Sequence, residues 1–514
     1  MKRTEDGERG RYRDRIMGCW LGKAVGGTLG MPFEGYAGPL DLKYYDPIPA
    51  AMIPNDDLDL QVLWACLLDG QECPQVGPEM FMKGWREHIG FPWDEYGVCK
   101  RNLAEGILPP RSGAYNNWFQ NGMGAAIRSE LWACLAPGRP ELAAAYARED
   151  ACLDHAGDGL YAEVLLAAMQ SVAFVESNLD RIIDTGLRAI PEESEVARAI
   201  RDTRCWWNQA GDWRKVREQI LDKYGHENFT NVTENLAFTL LALLEGGGDF
   251  GRSICTATNC GKDTDCTAAT VGALLGIMDP DSIEEKWLKP IGRDLVLSPE
   301  IVGIQPPPTL DEFTDLIVSL RDRLGGQMPE RAEFADAGLE RSVPARIGFA
   351  DVPWFGHGWH FGQSIPLTLP SMKRVVFSGT WGALETVGVK KNAIFLEYTF
   401  ELREEVRARV IFNTHENCRV FLNGEPAFAR EAGRMAPSPH RVPPHQAIDI
   451  DLPAGEHTLV AVLRSPEPRK RIEWVVGVSD RDNNDQWIPG IWSAGTSTPL
   501  SEKRGDASSR VSVR

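Results

Sequence analysis

Two groups of acidic residues, far apart in the chain, have the side chains best suited to chemistry. Asp263 and Asp265 stand one residue apart just before a helical run of small residues, and Asn55, Asp56 and Asp57 open another apolar helical run. Oxygen ligands in so short a space suit Mg²⁺, Mn²⁺ or Ca²⁺ better than a thiol-binding metal. If the two helix starts pack together, four carboxylates share one cleft and need a cation to offset their repulsion.

Helix capping is the alternative explanation for both groups. A carboxylate or amide at a helix N-terminus accepts hydrogen bonds from free N–H groups and complements the helix dipole. Capping explains one acid at each helix well, but it explains two adjacent acids and an asparagine less well. On spacing alone, two unrelated caps and one shared metal site are equally open.

A third acid follows the first helical segment of the chain. Residues 16–30 carry glycine at every fourth position, which permits very close approach of another helix. Pro32 ends this predicted helix and leaves Glu34 in a turn, from which a carboxylate can face a cleft. A surface turn is the simpler explanation for Glu34.

Two loops contain groups that could contact a substrate. In the segment 109–128, Ser112-Gly113 and Asn121-Gly122 place backbone N–H groups ahead of a helix, a geometry that can hold a phosphate or diphosphate. Most such loops are only turns. His155 lies in the entry loop of a later predicted helix, where a lone histidine is more often structural.

The composition limits the class of protein. The chain has 514 residues, 11 cysteines and a formal net charge of −18, so it lacks the basic character of a nucleic-acid or anionic-membrane binder. The scattered cysteines have no metal-site or disulfide-framework spacing, and the N-terminus does not resemble a signal peptide or a membrane span. We therefore expect a cytoplasmic protein; the oligomeric state stays open.

The pattern of apolar residues changes along the chain. Up to about residue 300, helical periodicity dominates, including segments near 179–190, 193–222 and 231–246, and one more helix is predicted at 311–324. Beyond it, seven short alternating segments predict an all-β sandwich, with a hairpin turn at Asn423-Gly424. We predict an all-α domain at 1–300, a helix and linker at 301–345, a β-sandwich at 346–495 and a disordered tail at 496–514.

Taken together and in this order, the motifs resemble the ADP-ribosylglycohydrolase family, which includes the dinitrogenase-reductase-activating glycohydrolases. The residues that carry the resemblance are Gly26–Glu34, Asn55-Asp56-Asp57, Asn121–Arg128, His155 and Asp263-Thr264-Asp265 with the Ala-Ala-x-Val-Gly that follows. The resemblance covers about residues 12 to 300. It implies an all-α domain with a metal centre, usually of two Mg²⁺ ions, that hydrolyses a glycosidic bond at the ribose C1″.

The resemblance also implies roles for individual residues. The metal ligands would be Asn55, Asp56, Asp57, Asp263, Asp265 and Cys266, with Asp265 bridging two ions and with Mn²⁺ as a substitute for Mg²⁺. Glu34 and Asp57 would be catalytic, Glu34 by orienting or deprotonating the attacking water. The substrate would contact Ser112, Gly113, Tyr115, Asn121, Gly122 and His155, the loop residues as a diphosphate cradle.

The sequence departs from this family at three positions. Asn55 stands where members usually have threonine, Cys266 where a threonine is expected, and Gly27 where an aspartate is frequent. A thiol is a poor ligand for magnesium. The departures leave the substrate and the occupancy of one metal position open.

Three functions are compatible with these observations. The first is release of ADP-ribose from an ADP-ribosylated acceptor, and the second is metal-dependent N-glycosidase action on a smaller ribosyl compound or nucleoside. The third is a non-catalytic binding descendant that keeps the fold. The C-terminal segments resemble galactose-binding-like jelly rolls, for which we favour structural support over sugar binding; Trp354, Trp359, Trp381 and Trp487 are the residues that could stack on a sugar.

Overall fold

The computed structural model describes residues 2–331, 342–352, 367–443, 446–464 and 471–493. The chain divides into two compact units. The first comprises residues 1–91, 108–114 and 119–334, and the second comprises residues 92–107, 115–118 and 335–514. The predicted order, a helical N-terminal region followed by an antiparallel β region, is confirmed. The predicted disordered tail at 496–514 lies outside the described residues, as do Trp354 and Trp359.

The helices of the chain differ widely in length, from one turn to eight. Their bounds are α1 Lys2–Gly30, α2 Asp56–Asp69, α3 Pro78–Glu87, α4 Asp94–Ala104, α5 Arg111–Ala114, α6 Ser129–Leu135, α7 Pro140–Ala151, α8 Asp158–Ala173, α9 Leu179–Arg188, α10 Glu195–Ala210, α11 Trp213–Tyr224, α12 Val232–Gly246, α13 Phe250–Asn259, α14 Thr264–Met278, α15 Glu285–Ile291 and α16 Leu310–Leu324. In the described part of the chain, no helix has the length and apolar character needed to cross a membrane.

The segment 193–222 forms two helices. Gly211 ends α10 in the left-handed conformation, with φ 56°, and the side chain of Asp212 caps α11 by accepting a hydrogen bond from the N–H of Arg214. Glycine adopts positive φ at little cost, which explains the break.

Helices α1 and α14 pack with their backbones in direct contact. A Cβ atom added at Gly22 would collide with the carbonyl oxygen of Gly272, and Gly18 and Gly26 face the backbone of α14 in the same way. The prediction that the glycine stripe permits close helix approach is therefore confirmed. Because the backbones touch, the start of α14 has a fixed position relative to the end of α1.

Two antiparallel sheets form the β region. The strands are β1 Val343–Ala350, β2 Met372–Phe377, β3 Trp381–Glu385, β4 Ala393–Leu402, β5 Val406–Thr414, β6 Asn417–Leu422, β7 Glu425–Arg430, β8 Ala447–Leu452, β9 Gly455–Arg464, β10 Arg471–Asp480 and β11 Gln486–Trp487. One sheet has the order β2-β1-β4-β9-β6-β7, and the other has the order β11-β10-β5-β8 with β3 paired to β10. Six of the seven predicted segments lie within one of these strands, and the seventh, residues 419–424, runs from β6 into the turn that follows it.

The two sheets share one apolar core. Leu396 of the first sheet and Val410 and Trp474 of the second are fully buried in the same cluster. The hairpin turn at Asn423-Gly424 is confirmed, since both residues have positive φ between the paired strands β6 and β7. Trp487 is buried and Trp381 half-buried, so Trp487 offers no exposed stacking face.

Candidate metal centre

Asp56 starts α2 without joining a ligand group, and the other four predicted acids, from three parts of the chain, meet in the first unit. They lie in the turn after α1, at the start of α2 and at the start of α14. One group consists of Asp57, Asp265 and Cys266, and a second consists of Glu34, Asp263 and Asp265. In each group the ligand atoms lie within 4.8 Å of one another. Asp265 belongs to both groups, which places it between two potential cation positions.

Capping explains only part of this arrangement. The side-chain oxygen of Asn55 caps α2 by accepting a hydrogen bond from the N–H of Asp57 at 2.9 Å. Asp263 occupies the N-cap position of α14 but makes no side-chain capping bond. The capping explanation therefore holds for Asn55 and fails for Asp263.

The acids of the cluster are buried without sufficient hydrogen-bond donors. Asp57, Asp263 and Asp265 are at most 3% exposed. In the described part of the chain, both carboxylate oxygens of Asp263, the Oδ1 of Asp265 and the Oδ2 of Asp57 lack a hydrogen-bond partner of normal geometry. Burial, together with the neighbouring Asp265 and Glu34, raises the pKa of Asp263 well above its usual value, and burial also raises the pKa of Asp265. Orphaned buried carboxylate oxygens fit a divalent cation, which supplies the missing positive charge.

A buried lysine, Lys23, lies beside Asp57. The Nζ atom of Lys23 is 3.2 Å from Glu130 Oε2 and 3.6 Å from Asp57 Oδ2, and its side chain is 1% exposed. Gln61 and Gln170 donate hydrogen bonds to the two oxygens of Glu130, at 3.0 and 3.1 Å. Burial raises the pKa of Asp57, and the charge of Lys23 opposes that rise. Helix α1 therefore contributes the positive charge of Lys23 to the centre.

The three departures from the family pattern lie together at this centre. Gly27 faces Asn55, because a Cβ atom at Gly27 would lie 3.1 Å from Asn55 Nδ2. That amide nitrogen donates a hydrogen bond to Asp265 Oδ2 at 3.2 Å. Cys266 Sγ donates to Asp57 Oδ1 at 3.4 Å. The changes thus form one connected alteration of the site.

The turn before Asp263 ties the cluster together. Lys262 has a φ of 68°, a left-handed conformation that is unusual for a residue with a side chain. Its backbone carbonyl accepts from the N–H of Gly35 at 2.9 Å, and its N–H donates to the carbonyl of Tyr36 at 2.6 Å. Its ammonium group lies 3.2 Å from Glu234 Oε1. This pairing fixes the loop that carries Glu34 against the turn that carries Asp263.

The start of α12 links the acids to the second predicted loop. Asn235 Oδ1 accepts a hydrogen bond from the N–H of Asp263 at 3.2 Å. The N–H of Val232, one turn earlier, donates to the carbonyl of Asn121 at 2.8 Å. One helix N-terminus therefore contacts both sequence motifs.

Several predicted substrate contacts form a second, buried group around the start of α8. His155 is fully buried, and its Nε2 accepts from the N–H of Ala125 at 3.3 Å while Nδ1 lies 3.0 Å from Asp154. Gly113 packs on the backbone of His155. Asn121 Oδ1 accepts from the N–H of Gly159 at 3.3 Å. These contacts position the loop around Asn121.

The proposed diphosphate cradle is less open than its sequence indicates. The N–H of Ser112 donates to the carbonyl of Leu108 at 3.0 Å, and the N–H of Gly122 donates to the carbonyl of Phe119 at 2.8 Å. Both residues are buried. Tyr115 belongs to the second unit, where its hydroxyl donates to the carbonyl of Ser378 at 2.7 Å. The substrate-binding roles of these residues stay predictions.

Sequence reasoning did not assign roles to Lys23, Glu130, Lys262 or Asn235. Lys23 is the residue with a detectable signal, because it is the one charged residue between Ile16 and Gly30. The contributions of the other three depend on contacts between distant segments. No local pattern could have identified them.

These features define a helical protein with an acidic centre suited to divalent cations. The sequence model of the ADP-ribosylglycohydrolase family matches residues 8–325, so the chain belongs to the ADP-ribosylglycohydrolase family. Membership indicates hydrolysis of a glycosidic bond, in a family that is typically metal-dependent.

Two similar proteins illustrate the range of relatives. An uncharacterized protein of Archaeoglobus fulgidus is 26% identical over 300 residues, which are 54% of this chain and 91% of the relative. A solved structure described as an ADP-ribosylglycohydrolase-related protein complex is 20% identical, with a TM-score of 0.42; the match covers 61% of this chain and 99% of that one.

Proposed function

We propose that this protein is a divalent-cation-dependent glycosidase that releases ADP-ribose from an ADP-ribosylated acceptor. The observation that supports it best is the convergence of Glu34, Asp57, Asp263 and Asp265, with three buried carboxylate oxygens of Asp263 and Asp265 lacking a hydrogen-bond partner of normal geometry. A buried acidic group of this kind is costly unless a cation or substrate compensates it. Its retention is therefore best explained by a function.

The chain's own residues have distinct roles in the proposed reaction. Cleavage of a ribosyl bond builds positive charge at the anomeric carbon, which nearby carboxylates stabilise. Glu34 is the exposed acid of the cluster, so it can reach the attacking water and accept its proton. Asp57 is held in place by its contact with Lys23. When bound, Mg²⁺ would orient the ribose hydroxyls and acidify a bound water; Glu34, Asp263 and Asp265 are the residues that would hold it.

A second candidate is an N-glycosidase acting on a smaller ribosyl compound or nucleoside. The observation that favours it is the internal bonding of the N–H groups of Ser112 and Gly122, which a diphosphate would otherwise use. A substrate without a diphosphate does not need these donors.

The product separates the two candidates. The purified protein would be incubated with Mg²⁺ and either an ADP-ribosylated protein or a set of nucleosides, and the products would be identified by mass spectrometry. Free ADP-ribose supports the first candidate, and free ribose supports the second. We expect Asp265→Asn to abolish metal-dependent turnover with an unchanged circular dichroism spectrum; a variant with a near-normal rate would remove the basis for either candidate.

A further inference from the structure

We propose that this centre holds a single divalent cation, at the Glu34, Asp263 and Asp265 group, and that Lys23 takes the place of a second one. The inference rests on the proposed function only in requiring a divalent cation. It is carried by a difference between the two sides of Asp265. On the Asp57 side a buried ammonium group lies against the carboxylate, whereas no ion-pair partner of Asp263 or Asp265 lies in the described part of the chain.

The side of the centre at Asp57 is occupied by donors. Lys23 lies 3.6 Å from Asp57 Oδ2, and Cys266 Sγ donates to Asp57 Oδ1. Both oxygens of Asp57 therefore face a positive or hydrogen-bearing group of the protein. A divalent ion bound here would displace the thiol hydrogen and lie close to a buried ammonium group, which repels it.

Asn55 adds a third donor on the same side. Its side-chain oxygen is used to cap α2 by accepting from the N–H of Asp57, so its amide nitrogen is turned toward Asp265 Oδ2. An amide binds a hard cation through its oxygen and not through its nitrogen. Because the capping bond fixes this orientation, Asn55 is not a cation ligand in this arrangement, contrary to the role that the resemblance implies.

The side of the centre at Asp263 has the opposite character. Neither oxygen of Asp263 nor the Oδ1 of Asp265 has a hydrogen-bond partner of normal geometry in the described part of the chain, although both side chains are buried. Glu34 completes this group from the exposed side. Glu34, Asp263 and Asp265 form a ligand set of carboxylate oxygens, which a single Mg²⁺ or Mn²⁺ can complete with water.

The negative charges of the centre are compensated by one divalent cation together with the ammonium group of Lys23. Lys23 is shared between Asp57 and Glu130 and is enclosed by protein, so it cannot move away when a metal ion arrives. The same residue therefore supplies positive charge beside Asp57 and excludes a second ion there. Gly27 contributes by leaving space for the Asn55 side chain.

The number of bound ions tests this inference. Metal-free full-length protein would be titrated with Mn²⁺, with bound ions counted by calorimetry and by loss of the free-ion signal in electron paramagnetic resonance. We expect one equivalent and no spectrum from a coupled pair of ions. Asp263→Asn should weaken this binding by about tenfold or more, whereas Asp57→Asn should change it by less than about tenfold.

A matched double variant restores oxygen ligands on the Asp57 side. Because Lys23 remains in place, Asn55→Thr with Cys266→Thr should still bind one equivalent, whereas adding Lys23→Met to it should allow a second equivalent to bind. Two equivalents of similar affinity in the wild type, or a coupled spectrum, would overturn the inference. Zero equivalents would overturn both it and the metal dependence of the proposed function. One bound ion without glycosidase activity would contradict the proposed function alone.

Discussion

Replacing Lys23 by methionine should destabilise the first unit strongly. The ammonium group is 1% exposed and pairs with Asp57 and Glu130, which are themselves buried. Removing one partner of a buried ion pair leaves an uncompensated charge, at a cost of about 3–5 kcal/mol. At roughly 2 °C per kcal/mol for a large domain, the midpoint of thermal unfolding should fall by about 6–10 °C.

The measurement is differential scanning calorimetry in EDTA, so that no metal ion compensates for the lost charge. Lys286→Met is the matched control, because Lys286 is half exposed in its surface ion pair with Glu284 and should change stability by about 0.5 kcal/mol or less. The double variant Lys23→Met with Glu130→Gln should recover part of the loss, since the second substitution removes a buried charge.

Two results would refute this reasoning. A fall of less than about 2 °C in Lys23→Met would mean that the ammonium group contributes little net stability. A double variant that is less stable than Lys23→Met would mean that Glu130 is not the charge left uncompensated. Either result would also remove the charge argument for a single metal ion.

Three further predictions concern the elements around the site. Gly22→Ala should destabilise the protein by about 1–3 kcal/mol or prevent soluble expression, because its Cβ meets the Gly272 carbonyl. Gly10→Ala, which lies in the same helix with open space around it, should stabilise the protein slightly in calorimetry, by up to about 1 kcal/mol. Burial raises the pKa of Glu234 to about 7 from its ordinary 4.5. The folded state therefore binds a proton more tightly than the unfolded state does, and stability falls as the pH rises from about 4.5 to 7. Glu234→Gln should remove about 3 kcal/mol of that fall, as measured by urea unfolding at both ends of the pH range. Lys262→Ala should be less stable than Lys262→Gly by about 1 kcal/mol, because both lose the ion pair but only alanine is strained at positive φ. Equal unfolding midpoints for the two variants would contradict this.

Much of the fold follows from local sequence patterns. The glycines of α1 at every fourth position predict a close helix contact, and the alternating segments after residue 370 predict seven of the eleven described strands. Asn423-Gly424 predicts its hairpin turn, because both residues tolerate positive φ. These signals are local, so they are readable without knowing what packs against them. The acids at 55–57 and 263–265 were likewise visible, together with the resemblance that relates them.

Only the tertiary structure decided which groups meet. The sequence could not show that Asn55 turns its amide nitrogen to Asp265, that Cys266 donates to Asp57, or that Lys23 lies beside Asp57. The sequence also predicted accessible backbone N–H groups at Ser112 and Gly122, although these groups donate hydrogen bonds to nearby carbonyls. The physical reason is that composition and spacing determine which donors and acceptors a segment carries. Their partners depend on segments some two hundred residues away, brought together by the contact of α1 with α14.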